Sequence, residues 1–313
     1  MHDGVEDMTS LVMSEGRDFK RSAIYHGSDY FSLHEGVFAA WYRIVKQYSR
    51  RALTYESDRL PAISGIARSI GSSTGFTYLA GIWAQDPHGL AWCLDRPDER
   101  VTHQCQEVED GTENAYPSWS WAKMKHSISW RFYEQPRTNS KQDAVILLPE
   151  PSVNHMVDLH ESTHIMEIRI EAACLDVQCI PAHFDARHLI RDFHDTSSSY
   201  EKLDEGQVRA YREGFALDVF HKGVQIGTAC FDEPSTAEGI TDCRAVCIAG
   251  RVYSNCSIEI MYFLLVRQQA RASPAWERIG LGMTRDTAWN RRGAQEYYEN
   301  VFEGLAREHV ILR

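Results

Sequence analysis

Leu33, Val37, Trp41, Ile44, Val45 and Tyr48 recur at three- and four-residue intervals, with Arg43, Lys46, Gln47 and Arg50 falling mostly between them. That period lays the apolar side chains along one face of a helix of about four turns and predicts that this face meets a core. Ser32-Leu33-His34-Glu35 fits a capping box at its start, where the serine hydroxyl and the glutamate each satisfy an orphan amide. A second helix is predicted with Ser57 as N-cap and Pro61 tolerated in its first turn. Leu60, Ile63, Ile66, Ala67 and Ile70 form its apolar face, and Gly71-Ser72-Ser73 ends it. Tyr78-Leu79-Ala80-Gly81-Ile82-Trp83 fits a short helix or a strand. The shared face of Leu79, Ile82 and Trp83 favours the helix, closed by Pro87.

From about residue 117 the period shortens towards two. Trp119, Trp121, Ile128 and Trp130 alternate with Ser120, Ser129 and Arg131, with a break between the pairs, which suits half-buried strands. Met166-Glu167-Ile168-Arg169-Ile170-Glu171-Ala172 alternates without a miss, so one face is buried and one wet. Phe215 to Phe220 and Val224 to Phe231 flank His221-Lys222-Gly223 and predict a hairpin. Ala245 to Tyr253, Ser257 to Gln268 and Trp276 to Gly280 add strands; Glu296 to Glu308 looks helical, and His309 to Leu312 fits a terminal strand. Residues 1–31 carry no sustained period and predict a loosely ordered lead-in. Asp95 to Ala115 and Asp185 to Gly206 are polar and predict loops. Helices first and strands after is the α+β pattern: N-terminal helices packed on a C-terminal antiparallel β-sheet, as a sandwich or partial barrel. The expected divisions are a helical subdomain over 32–92 and a mainly antiparallel β region with a C-terminal helix over 93–313.

Composition narrows the function. With 313 residues, 43% of them hydrophobic, the chain can bury one large core or two smaller ones. A formal net charge of -11 repels a polyanion, and Arg50-Arg51 and Arg291-Arg292 are isolated basic pairs, so no nucleic-acid partner is expected. Met1-His2-Asp3-Gly4-Val5-Glu6-Asp7 is acidic and polar, unlike a secretory signal. The apolar run Ile260 to Val266 is far short of the ~20 residues of a membrane span and predicts a buried strand. The expectation is a soluble, cytoplasmic chain with no membrane partner. Cys93, Cys105, Cys174, Cys179, Cys230, Cys243, Cys247 and Cys256 form no Cys-x-x-Cys pair and are expected as small buried hydrophobes. Cys243 and Cys247 share a strand face too far apart to hold one metal.

One motif bears on chemistry. His160-Glu161-Ser162-Thr163-His164 fits His-Glu-x-x-His, the zinc-metallopeptidase signature. Two imidazoles four apart share one zinc at ~2 Å only on a helix, with the glutamate activating water; on a strand they stand about 13 Å apart. Here the motif runs into the alternating strand that begins at Met166, and Ser162 and Thr163 are poor helix formers. Glu201 or Glu205 could be named as a third ligand, with nothing specific pointing to either. A loop entering a strand is therefore expected, with no metal and no cofactor. There is no Gly-x-Ser-x-Gly elbow or P-loop, and Gly280-Leu281-Gly282 is only a fragment of a dinucleotide fingerprint.

Three further segments carry a family resemblance. They are Trp41-Tyr42-Arg43-Ile44-Val45-Lys46-Gln47-Tyr48-Ser49-Arg50-Arg51-Ala52-Leu53-Thr54 running into Asp58 to Ala67, then Tyr78 to Trp83 followed by Leu90-Ala91-Trp92, and then Pro117-Ser118-Trp119-Ser120-Trp121-Ala122. In order and spacing this set resembles the region after the HET domain of fungal heterokaryon-incompatibility (HET) proteins, with a fainter likeness at Trp276-Glu277-Arg278-Ile279-Gly280-Leu281. The resemblance implies a role in fungal nonself recognition and in cell death after hyphal fusion. Stretches like the Ser-x-x-Trp-Gly and Trp-Ile-Asp-x-x-Cys-Ile of the HET domain itself do not occur, and only about forty residues precede Trp41, too few for an α/β domain. The resemblance thus implies a truncated or degenerate member, non-enzymatic, with other HET-family proteins as partners. It marks Trp41, Tyr48, Arg51, Asp58, Leu60, Gly65, Gly81, Trp83, Pro117, Trp119 and Trp121 as scaffold residues. Two alternatives remain at this point: a zinc metallopeptidase on His160, Glu161 and His164, and an adaptor or decoy that pairs with full-length HET proteins. Read without the family, the tryptophans predict large buried areas whose indole N–H groups need acceptors, and an Asp58–arginine ion pair would pin the turn between the two helices.

Overall fold

A computed structural model describes residues 30–51, 53, 55–94, 116–130, 139–142, 144–147, 167–181, 216–232, 240–252, 259–268, 273–284 and 301–313. Among the described residues two helices come first, α1 (Tyr30–Ser49) and α2 (Pro61–Thr74). The apolar stripe of α1 is buried as its period requires: Trp41 and Val45 are wholly enclosed. Helix α2 starts at Pro61 with no side-chain cap, so Ser57 is not its N-cap; a short 3-10 turn over Glu56–Asp58 intervenes. It runs past Gly71 and ends at Gly75, whose left-handed φ of 77° lets its N–H reach the Gly71 carbonyl at 2.8 Å.

The segment after α2 is a tight hairpin and not the expected helix. β1 (Tyr78–Leu79) pairs antiparallel with β2 (Ile82–Trp83), turning through Ala80 and Gly81, both at positive φ. Gly81 at φ 106° explains the difference, because a helix cannot pass through that conformation. A 3-10 turn (Pro87–Leu90) follows, and β3 (Cys93–Leu94) pairs with β4 (Ile128–Ser129). Trp119 and Trp121 are not on strands either. They sit in a turn and a 3-10 helix (Trp121–Lys123) whose Ala122 N–H donates to the Ser120 hydroxyl, and both indoles are fully buried.

The remaining strands among the described residues are β5 (Asn139–Gln142), β6 (Val145–Leu147), β7 (Ile168–Pro181), β8 (Ala216–His221), β9 (Val224–Phe231), β10 (Ile240–Val252), β11 (Glu259–Gln268), β12 (Ala275–Thr284) and β13 (Arg307–Leu312). Two antiparallel meanders, β7-β8-β9 and β10-β11-β12, are joined by β9–β12 on one side and β7–β10 on the other. The sheet therefore closes on itself as an antiparallel barrel, which removes most of its hydrogen-bonding edges. Lys222 (φ 49°) and Gly223 (φ 81°) supply the two positive-φ positions that the β8–β9 hairpin turn needs.

The expected helix over 296–308 is not found where the structure describes it. Residues 301–304 form a turn with Gly304 at φ 73°, and β13 begins at Arg307. This strand pairs antiparallel with β7 and, at Ile311 and Leu312, parallel with β12, so its buried Val310 and Leu312 complete the barrel wall at one end.

Two apolar cores share the sheet. One fills the barrel with Leu175, Val177, Val219, Ala245, Phe263 and Leu265 among others. The other lies between the barrel's outer face and the helices, and joins Ile170, Val246, Tyr262 and Leu264 to the tryptophans. The apolar run from Ile260 to Val266 is thereby explained: Met261, Phe263 and Leu265 point into the barrel, Tyr262, Leu264 and Val266 towards the helices. Among the described residues, no helix is long and apolar enough to cross a membrane. Residues 1–29, 95–115 and 185–206, the last with Glu201 and Glu205, and the His160-Glu161-x-x-His164 motif lie outside the described residues.

Candidate functional site

The residues drawn from the three sequence segments meet around one carbonyl. Trp41 on α1 and Trp121 in its 3-10 turn each donate an indole N–H to the Gly81 carbonyl, both at 3.0 Å. The Ser120 hydroxyl donates to the neighbouring Ala80 carbonyl at 2.6 Å. The hairpin turn is thus gripped from both sides, and its two strained residues present the carbonyls that three buried donors require. Aromatic edges tighten the packing. Trp41 meets Trp83 and Tyr78 edge-on, each at 5.6 Å between centroids, and Tyr48 meets Trp121 at 6.3 Å.

A second set of indole bonds ties the next loop. Trp92 Nε1 donates to the Trp119 carbonyl at 3.0 Å, and Trp130 Nε1 to the Gly89 carbonyl at 2.9 Å. In the same loop the Asp86 carboxylate lies 2.9 Å from His88 Nδ1, both residues buried. Burial, and then the Asp86 charge, hold the Tyr42 hydroxyl well above its ordinary pKa. Burial also pushes Tyr48 up to about 12 and raises Tyr78 further. These hydroxyls keep their protons in the fold, while unfolded tyrosines ionise near pH 10. Stability is therefore full below about pH 10 and is lost as pH rises through about 12. The tyrosinate absorbance of these buried residues should rise together with loss of structure; ionisation of every tyrosine near pH 10 with the fold intact would contradict this.

The scaffold residues named from sequence divide cleanly. Trp41, Tyr48, Leu60, Gly81, Trp83, Pro117, Trp119 and Trp121 are buried in this unit. Arg51, Asp58 and Gly65 are exposed. Among the described residues no ion pair joins Asp58 to an arginine. The corner between the helices is held instead by the Tyr116 hydroxyl, which donates to the Ser57 carbonyl at 2.8 Å. Gly65 has open space where a Cβ would stand. In the middle of α2, Gly65→Ala should add about 0.7 kcal/mol of stability by chemical denaturation; a loss would mean that something unseen fills that space.

Sequence reasoning missed the residue that keys this unit to the barrel. Arg278 on β12 is wholly buried, with its Nε donating to Asp232 Oδ2 at 2.8 Å and one terminal nitrogen to Oδ1 at 3.0 Å. Its two terminal nitrogens also donate to the Leu90 and Trp92 carbonyls, and the guanidinium stacks 3.3 Å from the Trp92 ring centroid. The Ser118 hydroxyl accepts from the Arg278 N–H at 3.0 Å and donates to the Arg313 carbonyl. Only a planar fork can serve a carboxylate and two carbonyls at once. The available signal was an arginine within the Trp276 to Leu281 strand, which alternation alone does not distinguish from a surface charge.

For reactive chemistry the yield is small. Among the described residues no three His, Cys, Asp or Glu side chains stand together as a metal site. Gly280-Leu281-Gly282 lies within β12 and opens no phosphate-binding turn. The six described cysteines are in the thiol form and all buried. Burial, the first cause, raises the Cys174 thiol to about 11. No family model matches the chain, and neither a curated protein nor a solved structure was found to match it.

Proposed function

We propose that this chain is a non-catalytic region of a HET-family protein, serving as a scaffold or interaction module in fungal nonself recognition. What supports the reading is the convergence of Trp41, Gly81 and Trp121, one from each of the three resembling segments, on a single carbonyl. Those segments carry the resemblance because together they build one interior, and the described part of that interior holds buried indoles and stacked rings in place of an open reactive centre. Of its exposed positions, Arg51 and Asp58 flank the corner between α1 and α2 and Gly65 lies on α2, and there a HET-family partner would meet the chain. The chain needs no cofactor for that role. It lies in the cytoplasm and acts on neither nucleic acid nor membrane.

The test is cell death on hyphal fusion in a fungal strain that carries a full-length HET-domain protein. Expressing this chain should change the frequency of death about tenfold or more; the frequency itself is the readout, since a factor of ten equals about 1.4 kcal/mol only where binding is read directly. A paired Arg51→Glu and Asp58→Lys exchange should abolish the effect while leaving the thermal midpoint unchanged. Near-stoichiometric zinc in the purified chain, with peptidase activity lost in Glu161→Gln, would overturn the reading in favour of the metallopeptidase.

A further inference from the structure

Cys179 on β7 and Cys243 on β10 bring their sulfurs within 3.5 Å of each other inside the barrel, at 1% and 3% exposure. The register explains the approach. Cys179 faces Ile240 and Cys243 faces Val177, so three steps along β10 answer two along β7. Such a bulge adds local twist and swings two diagonal neighbours together on the inner face. The Cys243 thiol donates to the Val177 carbonyl at 3.3 Å, which leaves its sulfur to accept from Cys179. Bond formation needs the sulfurs to close from 3.5 Å to about 2.05 Å.

We propose that Cys179 and Cys243 form a reversible disulfide that staples the β7–β10 seam when the chain meets a small-molecule disulfide such as glutathione disulfide. This pairing is what closes the sheet into a barrel, so the bond would lock the closure itself. One protein thiolate attacks a glutathione sulfur, giving a mixed disulfide and releasing one glutathione thiolate. The second protein thiolate then attacks the protein sulfur of that mixed disulfide, forming the Cys179–Cys243 bond and releasing the second glutathione. Both protons end on glutathione, so two protein thiols are oxidised and one glutathione disulfide is reduced. Because both sulfurs are enclosed, the rate follows opening of the seam, while the equilibrium follows their prior approach.

The experiment incubates the full reduced chain with glutathione disulfide, once under native conditions and once at the urea midpoint followed by refolding. Remaining thiols are alkylated, and the chain is digested without reduction for mass spectrometry. The expected product links the peptides of Cys179 and Cys243 in preference to any other pair. The bond closes a loop spanning 64 positions, so the thermal midpoint should rise by about 5 °C or more, reversed by dithiothreitol and absent in Cys179→Ala. If neither incubation gives that link, or if other pairs dominate, the proposal is wrong.

Discussion

Gly81→Ala is expected to destabilise the protein by about 4 kcal/mol, a large part of the stability of an ordinary domain. Two effects add. A φ of 106° is strained for any residue with a Cβ, by about 1–3 kcal/mol. The new Cβ would also fall under 3.0 Å from three atoms of the Trp121 indole, which must retreat. That retreat withdraws an N–H from the Gly81 carbonyl inside the core, and a buried donor without an acceptor costs about 1–3 kcal/mol. Urea unfolding followed by tryptophan fluorescence measures the loss. Trp121→Phe in the same background should recover part of it, since the smaller ring makes room and carries no donor. A loss below about 1 kcal/mol in Gly81→Ala would show that the hairpin turn is not gripped as described.

Arg278→Met should cost about 3–5 kcal/mol, as expected when one partner of a buried ion pair is removed. The change strips Asp232 of its two guanidinium bonds and the Leu90 and Trp92 carbonyls of their donors. Arg278→Lys should recover little, because a single ammonium cannot reach both carbonyls and the carboxylate or stack flat on Trp92. Adding Asp232→Asn to Arg278→Met should restore about 1–2 kcal/mol by removing the buried charge. Denaturant midpoints for the four proteins decide the matter. Full rescue by lysine would mean that charge alone, and not the fork, holds the two units together.

The same residues show how far sequence reaches. The helices, the hairpin about His221-Lys222-Gly223 and the strands of the second meander follow from period alone, because each buries a face whose spacing is local. The α+β order followed in turn. Closure of the barrel did not, because β7–β10 and β9–β12 pairing joins residues distant in sequence. Tyr78 to Trp83 misled for a different reason: the spacing of Leu79, Ile82 and Trp83 fits a helix, and only Gly81 in its left-handed position betrays the turn. Trp119 and Trp121 misled likewise, since alternation in a run so short is also what a capped turn produces. At the site, tryptophans could be foreseen as buried, but not that two would share one acceptor. Arg278 was invisible because a buried guanidinium and a surface one look alike in sequence until the partner is known.

The account rests on the helices, the tryptophans and the barrel behaving as one body. Six of the eight tryptophans lie between residues 41 and 130, so fluorescence reports mainly on the helical unit, while labelling of the buried thiols Cys179, Cys243 and Cys247, read by mass spectrometry, reports on the barrel. The direct test is urea unfolding followed by both signals on one sample. Coincident transitions are predicted for the wild-type chain, separating in Arg278→Met. If the fluorescence transition precedes exposure of the barrel thiols in the wild-type chain, the two units are independent and the account fails.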